Sequence, residues 1–274
     1  MPMQIVRKDN GSFQVQQPND GVNPWGVRDV GEGSDDDGAN TNPEPSFVGS
    51  TINNILFWRN RVVLLSDANG ICSRPGGDNL TNPNFWVNTA LTISPDDPID
   101  LSASSTSPAK LFDGIEVTAG LVLMSANAQF LLTTDSDTLT PETATINSLA
   151  TYNYNTKVNP ISLGTTVGFL DNAGKTSRFF EMVNIQRAGE PTILDQTITI
   201  PSLLPKNLNL ISSSKENTYA IFSKTGTTDM YGYKYFNTGE KRVQSAWFKW
   251  TVRKNVVYHC IMDDSFFTID EEGN

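Results

Sequence analysis

Few residues of this 274-residue chain have the type and spacing that chemistry needs. Its one histidine, His259, lies in the apolar run 256–262 beside Cys260. Without a second histidine, most triad and metal-site schemes fail. Neighbouring strand residues point to opposite faces, so His259 and Cys260 cannot readily hydrogen-bond to each other. We therefore interpret His259 as a packed, hydrogen-bonded strand residue.

Two acidic stretches are the other candidates for chemistry. The aspartates at 35–37 invite a calcium loop, but the twelfth position counted from Asp35 is Ser46, where such a loop needs a carboxylate. The stretch 96–100 has three carboxylates, the groups that glycoside hydrolases use in pairs. Prolines on both sides of its first two aspartates indicate a rigid turn instead. We interpret the first stretch as a solvated surface turn and the second as a structural loop.

A polar break, Arg59-Asn60-Arg61, interrupts an otherwise apolar stretch. We predict that Arg59 or Arg61 makes a planar, two-pronged contact with a carboxylate of the 96–100 loop and ties that loop to the first hairpin. The alternative is a phosphate contact in a channel. We favour the structural contact, because a chain with 20 basic and 30 acidic residues does not look built to hold DNA.

These residues need strands to position them, and the sequence predicts several strand–turn–strand units. The first is 51–74, with a turn at 67–70 that contains Asn69-Gly70, a pair typical of tight hairpin turns. Further units follow at 120–133, 166–183, 219–252 and 256–269. One hairpin is not stable alone in water, so the five units must stack on each other.

The fold class that this pattern predicts is all-β. The unit centres lie roughly 40 to 65 residues apart, close to the period of propeller blades, so we expect an irregular β-propeller-like assembly with long inserted loops. A β-sandwich assembly is the alternative. We assign 1–45 to an extended arm or linker, with Trp25 as its expected anchor, and 46–274 to the propeller-like domain, truncated at its C-terminus. The sequence offers a short helical turn at 202–210 and no longer helix pattern.

The composition argues against several other classes of protein. The 14 Phe, 7 Tyr and 5 Trp are too many for a disordered chain. Cys72 and Cys260 have neither disulfide-framework nor zinc spacing, which favours folding in a reducing compartment. No run has the roughly 20 apolar residues of a membrane helix. We expect no membrane insertion, no metal and no cofactor.

Six pieces of the sequence, taken in their order along the chain, indicate a resemblance to a known family. They are TNPEPSFVG (41–49), INNILFWRNRVVLLS (52–66), SRPGGD (73–78), DDPIDLSASS (96–105), LTPETATI (139–146) and YKYFNTGEKRVQSAWFKW (233–250). In this order they resemble the nozzle proteins, or tail tubular proteins B, of short-tailed bacteriophages. Members of that family are considerably longer, so the chain resembles their central part.

The resemblance implies a structural, non-enzymatic subunit of the virion tail, assembled in the host cytoplasm. Six copies would form a ring below the upper tail ring (adaptor) protein and beside the tail fibres, around a channel that ejected DNA passes without specific binding. The rival hypothesis is a glycan-binding or glycan-hydrolysing β-propeller module, since fold alone does not fix function.

The residues of these pieces that we single out are structural. They are Phe57, Arg59, Asn60, Arg61, Ser73, Arg74, Asp96, Asp97, Pro98, Asp100, Gln244, Ser245, Trp247 and Trp250. If the chain lines a DNA channel, we expect the wall that faces the duplex to be acidic or neutral, because exposed cations would slow the passage of phosphate.

Overall fold

The computed structural model describes residues 4–16, 44–76, 84–87, 92–105, 109–172, 174–187, 189–214, 216, 218–238, 241–263 and 265–273. Within these ranges the chain forms strands and turns and no helix, and residues 201–209 form turns and bends where we expected a helical turn. Trp25 and the acidic run 35–37 lie outside the described residues, as do Gly77 and Asp78. No described helix has the length and apolar character to cross a membrane. The predicted all-β class is confirmed.

An N-terminal hairpin precedes the body of the fold. Its strands β1 (Gln4–Arg7) and β2 (Phe13–Gln16) pair antiparallel. The sequence predicts β2 and misses β1, which has only two apolar residues and a single neighbouring strand. The boundary between an arm at 1–45 and a domain at 46–274 stays a prediction.

The body contains four antiparallel sheets, each a meander of consecutive strands. Sheet 1 is made of β3 (Ile52–Trp58), β4 (Arg61–Ser66), β5 (Asn69–Cys72) and β6 (Ile99–Ser102). Sheet 2 is made of β7 (Leu111–Val117), β8 (Gly120–Ser125), β9 (Gln129–Thr134) and β10 (Ala144–Ala150). Sheet 3 is made of β11 (Ile161–Ser162), β12 (Val167–Asp171), β13 (Arg178–Val183) and β14 (Thr192–Asp195). Sheet 4 is made of β15 (Leu210–Ser214), β16 (Tyr219–Ser223), β17 (Thr227–Thr238), β18 (Lys241–Met262) and β19 (Ser265–Asp270). Sheets 1 to 3 therefore have the four-stranded meander of a propeller blade, whereas sheet 4 has a fifth strand.

The strand β18 corrects the number of units. We predicted a fifth unit at 256–269, separate from the unit that ends at Val252, but the strand runs unbroken for 22 residues through Arg253, Lys254 and Asn255. Polar side chains do not end this strand, because they are carried towards solvent and Lys254 pairs with Asp270 of β19. The last predicted unit is therefore part of sheet 4, whose pairing passes from β17 to β19 along β18.

The four sheets stack in sequence order with one core between each pair. In β8, Leu121 and Leu123 point into the core between sheets 1 and 2, whereas Val122 and Met124 point into the core between sheets 2 and 3. This alternation is the two-residue period of a strand, and burial on both faces explains why β8 is apolar throughout. The middle sheets are therefore covered on both sides.

The core between sheets 3 and 4 is aromatic. Phe179 of β13 packs edge-on against Phe222 of β16, with ring centroids 4.9 Å apart. Tyr233 and Trp247 face each other from β17 and β18 at 4.8 Å. Such ring pairs add about 0.5–1.5 kcal/mol each beyond their buried area.

Sheet 4 curls so that β18 meets the edge strand β15. Ser212 of β15 bonds to His259 of β18, and a small core of Ile221, Met230 and Val256 lies inside the curl. Gly232 allows this close packing, because a Cβ there would lie 2.0 Å from the ring of Phe248.

The turns of sheet 1 differ from the predicted ones. Arg59 and Asn60, interpreted as a polar break, are the two central residues of a hairpin turn with φ of 46° and 60°. Positive φ at both positions matches the right-handed twist of the paired strands. The second turn centres on Asp67 and Ala68, so that Asn69-Gly70 begins β5 instead of forming the turn. The stretch 51–74 therefore contains two hairpins.

Candidate functional site

Arg61 is the centre of the first cluster of signature residues. It lies on β4 with 2% of its surface exposed. Its Nη1 donates to the carbonyl oxygens of Ser73 and Asp97, both at 2.8 Å, and its Nη2 donates to those of Pro95 and Leu139, both at 3.1 Å. The planar fork of a guanidinium can serve several acceptors at once, and here it joins sheet 1, the 96–100 loop and the turn before β10.

The predicted contact between an arginine and a carboxylate is wrong for Arg59 and Arg61. Among the ion pairs of the described residues, none includes either arginine, and the loop carboxylate that does form one is Asp97, 3.3 Å from Nη1 of Arg74. Carbonyl groups of an irregular buried loop need donors, and Arg61 supplies them. Burial lowers the pKa of Arg61, while Cys72 and Asp96 act in the opposite direction.

The 96–100 loop is held by several neighbouring bonds. Asp97 accepts a hydrogen bond of 2.8 Å from the backbone N–H of Ser94. Ser73 Oγ accepts from the N–H of Val62 at 3.0 Å and donates to the carbonyl of Arg74 at 2.8 Å. Asn60 donates its side-chain amide to the carbonyl of Gly76. Pro98 ends the loop directly before β6. These contacts support the interpretation of the loop as structural.

Asp100 on β6 fixes another signature piece. Its carboxylate accepts from the N–H and the Oγ of Ser46, both at 2.8 Å, and from Nδ2 of Asn69 at 3.0 Å. Phe47 packs edge-on against Phe85, with ring centroids 5.2 Å apart. The segment around Ser46 is therefore attached to the outer side of sheet 1.

A cleft of about 380 Å³ lies beside this cluster. Its lining includes Arg59, Asp96 and Asp137, together with one side of Arg61. Arg59 lies over the Trp58 ring at 5.3 Å and donates to the carbonyl of Asp137 at 3.2 Å. Arg59 and Asp96 are exposed, and the cleft is open to solvent on their side. Phe57 is also exposed, on the outer face of the edge strand β3.

The signature residues of β18 form a second group, in sheet 4 at the other end of the stack. Trp247 donates its Nε1–H to the carbonyl of Gln196, 3.0 Å away, and belongs to the aromatic core. Trp250 is half exposed and contacts Phe248 with ring centroids 4.8 Å apart. Gln244 and Ser245 are exposed opposite β17. The structure therefore does not bring the two groups together.

Two polar contacts between sheets were not predicted from the sequence. Glu181 of β13, 2% exposed, accepts from Nη2 of Arg242 at 2.6 Å and from Gln196 at 2.7 Å. Asp113 of β7 accepts from Nδ2 of Asn54 at 2.9 Å, and burial raises its pKa to about 6. Each acid interrupts an apolar strand, and a polar residue in such a place needs a partner, which is the signal that sequence reasoning overlooked.

His259 is buried and hydrogen-bonded, as the sequence indicates. Its Nδ1 lies 2.5 Å from Ser212 Oγ, which donates its own proton to the carbonyl of His259 at 2.9 Å. In this arrangement Nδ1 carries the hydrogen. Burial lowers the pKa of His259 to about 4. The hydroxyl proton is directed away from the imidazole, so the pair is not arranged for nucleophilic catalysis.

Comparison with known proteins decides the family. The family described as bacteriophage nozzle protein matches residues 1–274, the whole chain. The chain is a member of the bacteriophage nozzle protein family. It is also 28% identical over 279 residues to the tail tubular protein gp12 of Escherichia phage T7, an alignment that covers 100% of this chain and 33% of gp12. The chain thus spans about a third of the length of the curated relative that it matches.

For this nozzle family member, the resemblance read from six pieces of sequence is confirmed. The buried signature residues Arg61, Ser73 and Asp97 hold loops to sheet 1. In the part of the chain that the structure describes, no group of three or more His, Cys, Asp or Glu side chains is placed to hold a metal. The candidate site of this nozzle protein is therefore a set of hydrogen bonds that hold loops to sheet 1.

Proposed function

We propose that this chain is a structural segment of a phage tail-tube subunit, part of the nozzle through which viral DNA leaves the particle. The observation that carries the proposal is the family match over the whole chain. The tail tubular name of the T7 relative supports it. The stacked sheets, with loops held to them by hydrogen bonds, also support it, because the wall of a tube must be rigid.

The proposed assembly is a ring of six copies joined head to tail, without cofactor or catalytic activity. Such a ring needs two unlike surfaces on each copy. Sheet 1 and sheet 4, at opposite ends of the stack, carry different side chains. The upper tail ring protein above and the tail fibres around the ring are the proposed partners. Assembly takes place in the host cytoplasm and the mature location is the virion tail.

DNA passes the proposed channel without specific binding. The chain has a net charge of -10, so its overall field repels phosphate. Of the two arginines for which a phosphate contact was the alternative, Arg61 is buried and serves four carbonyls, whereas Arg59 is exposed beside the cleft. A lumen lined mostly by Lys and Arg in a ring reconstruction would contradict this part of the proposal.

A glycan hydrolase or lectin is less well supported by the acidic loop. Asp97 is used by Ser94 and Arg74, and Asp100 by Ser46 and Asn69. Carboxylates with these partners stabilise the conformation of the loop. Only Asp96 of this loop faces the open cleft.

Immuno-electron microscopy tests the function directly. Antibodies raised against the purified chain are applied to intact virions of the phage that encodes it, with pre-immune serum as the control. We expect gold label at the tail below the capsid vertex. Label over the capsid shell, or label no different from the pre-immune serum together with absence of the chain from purified particles by mass spectrometry, would overturn the proposal.

A further inference from the structure

The outer face of β18 and β19 carries an apolar patch, here called the β19 patch. Tyr258 is paired with Ile269 and Cys260 with Phe267, and directly paired residues share one face of a sheet. The members of the β19 patch with large exposed side chains are Tyr258 (51%), Met262 (57%), Phe267 (47%) and Ile269 (45%). The other face of these strands is occupied, since His259 and Ile261 point into the curl of sheet 4.

The N-terminal hairpin carries a second apolar face. Ile5 pairs with Val15, and Phe13 pairs with Arg7, so the three apolar side chains lie on one side of β1 and β2. Ile5 is 70% exposed, Val15 is 61% exposed and Phe13 is 70% exposed. A two-stranded hairpin is marginally stable in water unless one face is covered. This face therefore needs a partner surface.

We propose that the hairpin of one copy of the chain packs, apolar face to apolar face, on the β19 patch of a second copy. The proposal adds one contact to the self-assembly proposed above and rests on it. Within a single chain both faces remain exposed to solvent. Packing in trans covers both of them, and burial of apolar side chains stabilises by about 25 cal/mol per Å² of apolar surface.

Charge favours the β19 patch as the surface that receives the hairpin. Arg7 lies on the apolar side of the hairpin, and Lys8 follows it. Acidic residues border the patch at both ends of β19, namely Asp263, Asp270, Glu271 and Glu272. Asp270 and Glu272 pair with Lys254, and Arg253 is the other nearby cation, so carboxylates outnumber cations by four to two. Another exposed apolar surface, around Ile55 and Phe57 of β3, is next to the cation Arg59 instead. Opposite charge at the rim selects one docking surface over another.

The length of the connection allows the contact between copies. Residues 17–43 separate the hairpin from the body, and a chain of that length spans roughly 90 Å when fully extended. The hairpin of one copy can therefore reach an adjacent copy in a ring.

A disulfide mixing experiment tests the contact, because the native Cys260 lies in the β19 patch opposite Phe267. The first partner carries Val15→Cys and Cys260→Ser, and the second is the unsubstituted chain. The matched control carries Gln14→Cys and Cys260→Ser, since Gln14 pairs with Val6 on the other side of the hairpin. The other native cysteine, Cys72, is fully buried. Circular dichroism verifies that each variant has the spectrum of the parent chain.

After mild oxidation of the mixture, we expect a band of twice the chain mass on a non-reducing gel, removed by reductant. Because docking raises the effective concentration of the paired thiols, this band should exceed that of the Gln14 control by about tenfold or more. Phe267→Ser in the second partner should reduce the band to the control level. A band equal to the control, or a linkage found only within one chain when Val15→Cys is made with Cys260 retained, would overturn the proposal.

The same samples separate this proposal from the proposed function. Light scattering reports whether the unsubstituted chain self-associates. Self-association without the Val15–Cys260 linkage means that copies meet through other surfaces, which overturns the hairpin contact and leaves the nozzle function standing. Loss of tail labelling in the virion experiment would overturn the function, whatever the linkage shows.

Discussion

Arg242 Nη2 of β18 lies 2.6 Å from Glu181 Oε1 of β13, across the boundary between sheet 4 and sheet 3. Glu181 also accepts from Thr166 and Gln196, and Arg242 donates to the hydroxyl of Tyr233. Because every polar atom of this pair has a partner, the buried carboxylate is tolerated beside an aromatic core.

Replacing Arg242 tests this pair. Arg242→Met leaves Glu181 as a buried carboxylate without its cation, and we expect the free energy of unfolding to fall by about 3 kcal/mol. Urea denaturation at pH 7 measures the change. Lys249→Met, which breaks the exposed pair between Lys249 and Asp229, is the control and should leave the midpoint nearly unchanged. Equal midpoints for Arg242→Met and the parent chain would show that the pair contributes nothing.

Arg61→Lys tests the hydrogen bonds by which Arg61 holds the 96–100 loop to sheet 1. An ammonium group is compact and cannot reach the four carbonyls that the guanidinium serves, so two or more buried acceptors lose their donor. We expect a loss of about 2–3 kcal/mol and faster proteolysis within residues 92–105. Arg59→Lys is matched to it, because Arg59 is exposed and makes one hydrogen bond to a carbonyl. The idea fails if both variants behave alike.

Asp113→Asn should stabilise the chain in a pH-dependent way. Burial raises the pKa of Asp113 from 3.8 to about 6, so stability is highest below pH 3.8 and is lost as the pH rises through 6. The cost of the buried carboxylate above that range is about 3 kcal/mol at most. We expect the variant to be about 2 kcal/mol more stable than the parent at pH 8 and no more stable at pH 4. The exposed Asp135→Asn controls for the loss of a charge; a gain of the same size at both pH values would refute the assignment.

His259 predicts the opposite dependence. Its pKa in the folded chain is about 4, below the ordinary 6.5, so the unfolded chain binds the proton more readily. Stability therefore falls as the pH drops from 6.5 towards 4, by about 3 kcal/mol at most. His259→Asn keeps a donor for Ser212 and should lose less stability between pH 7 and pH 4.5 than the parent chain. Urea midpoints at the two pH values provide the comparison, and equal losses would contradict it.

Strands buried on both faces were the most predictable part of the fold. The runs at 120–124 and 130–132 are apolar without interruption, since both faces of β8 and β9 enter a core. Strands such as β6 and β14 have half-exposed, polar sequences and lie at sheet edges, so their conformation depends on the neighbouring strand. The number of sheets was missed for a related reason, because pairing with β17 and β19 overrides the polar stretch within β18.

The candidate site was predictable in its location and less so in its contacts. Arg59 or Arg61 was expected to hold the 96–100 loop through a carboxylate. Arg61 holds it through carbonyls instead, because the direction of a loop carbonyl is not written in side-chain charges. Glu181 and Arg242 are 61 residues apart, and no local pattern relates them. The pairing of distant sheets, which only the fold supplies, decides such contacts.

The length of β18 has a mechanical consequence. At about 3.3 Å per residue, its 22 residues measure roughly 70 Å along the strand, and the part between the contact of Arg242 with sheet 3 and the contact of His259 with β15 measures roughly 56 Å. Hydrogen bonds between antiparallel strands run perpendicular to the strands. A pull along β18 therefore loads many of these bonds in shear at once, whereas a pull across it opens them one after another. Sheet 4 resists tension most strongly along the axis of this strand.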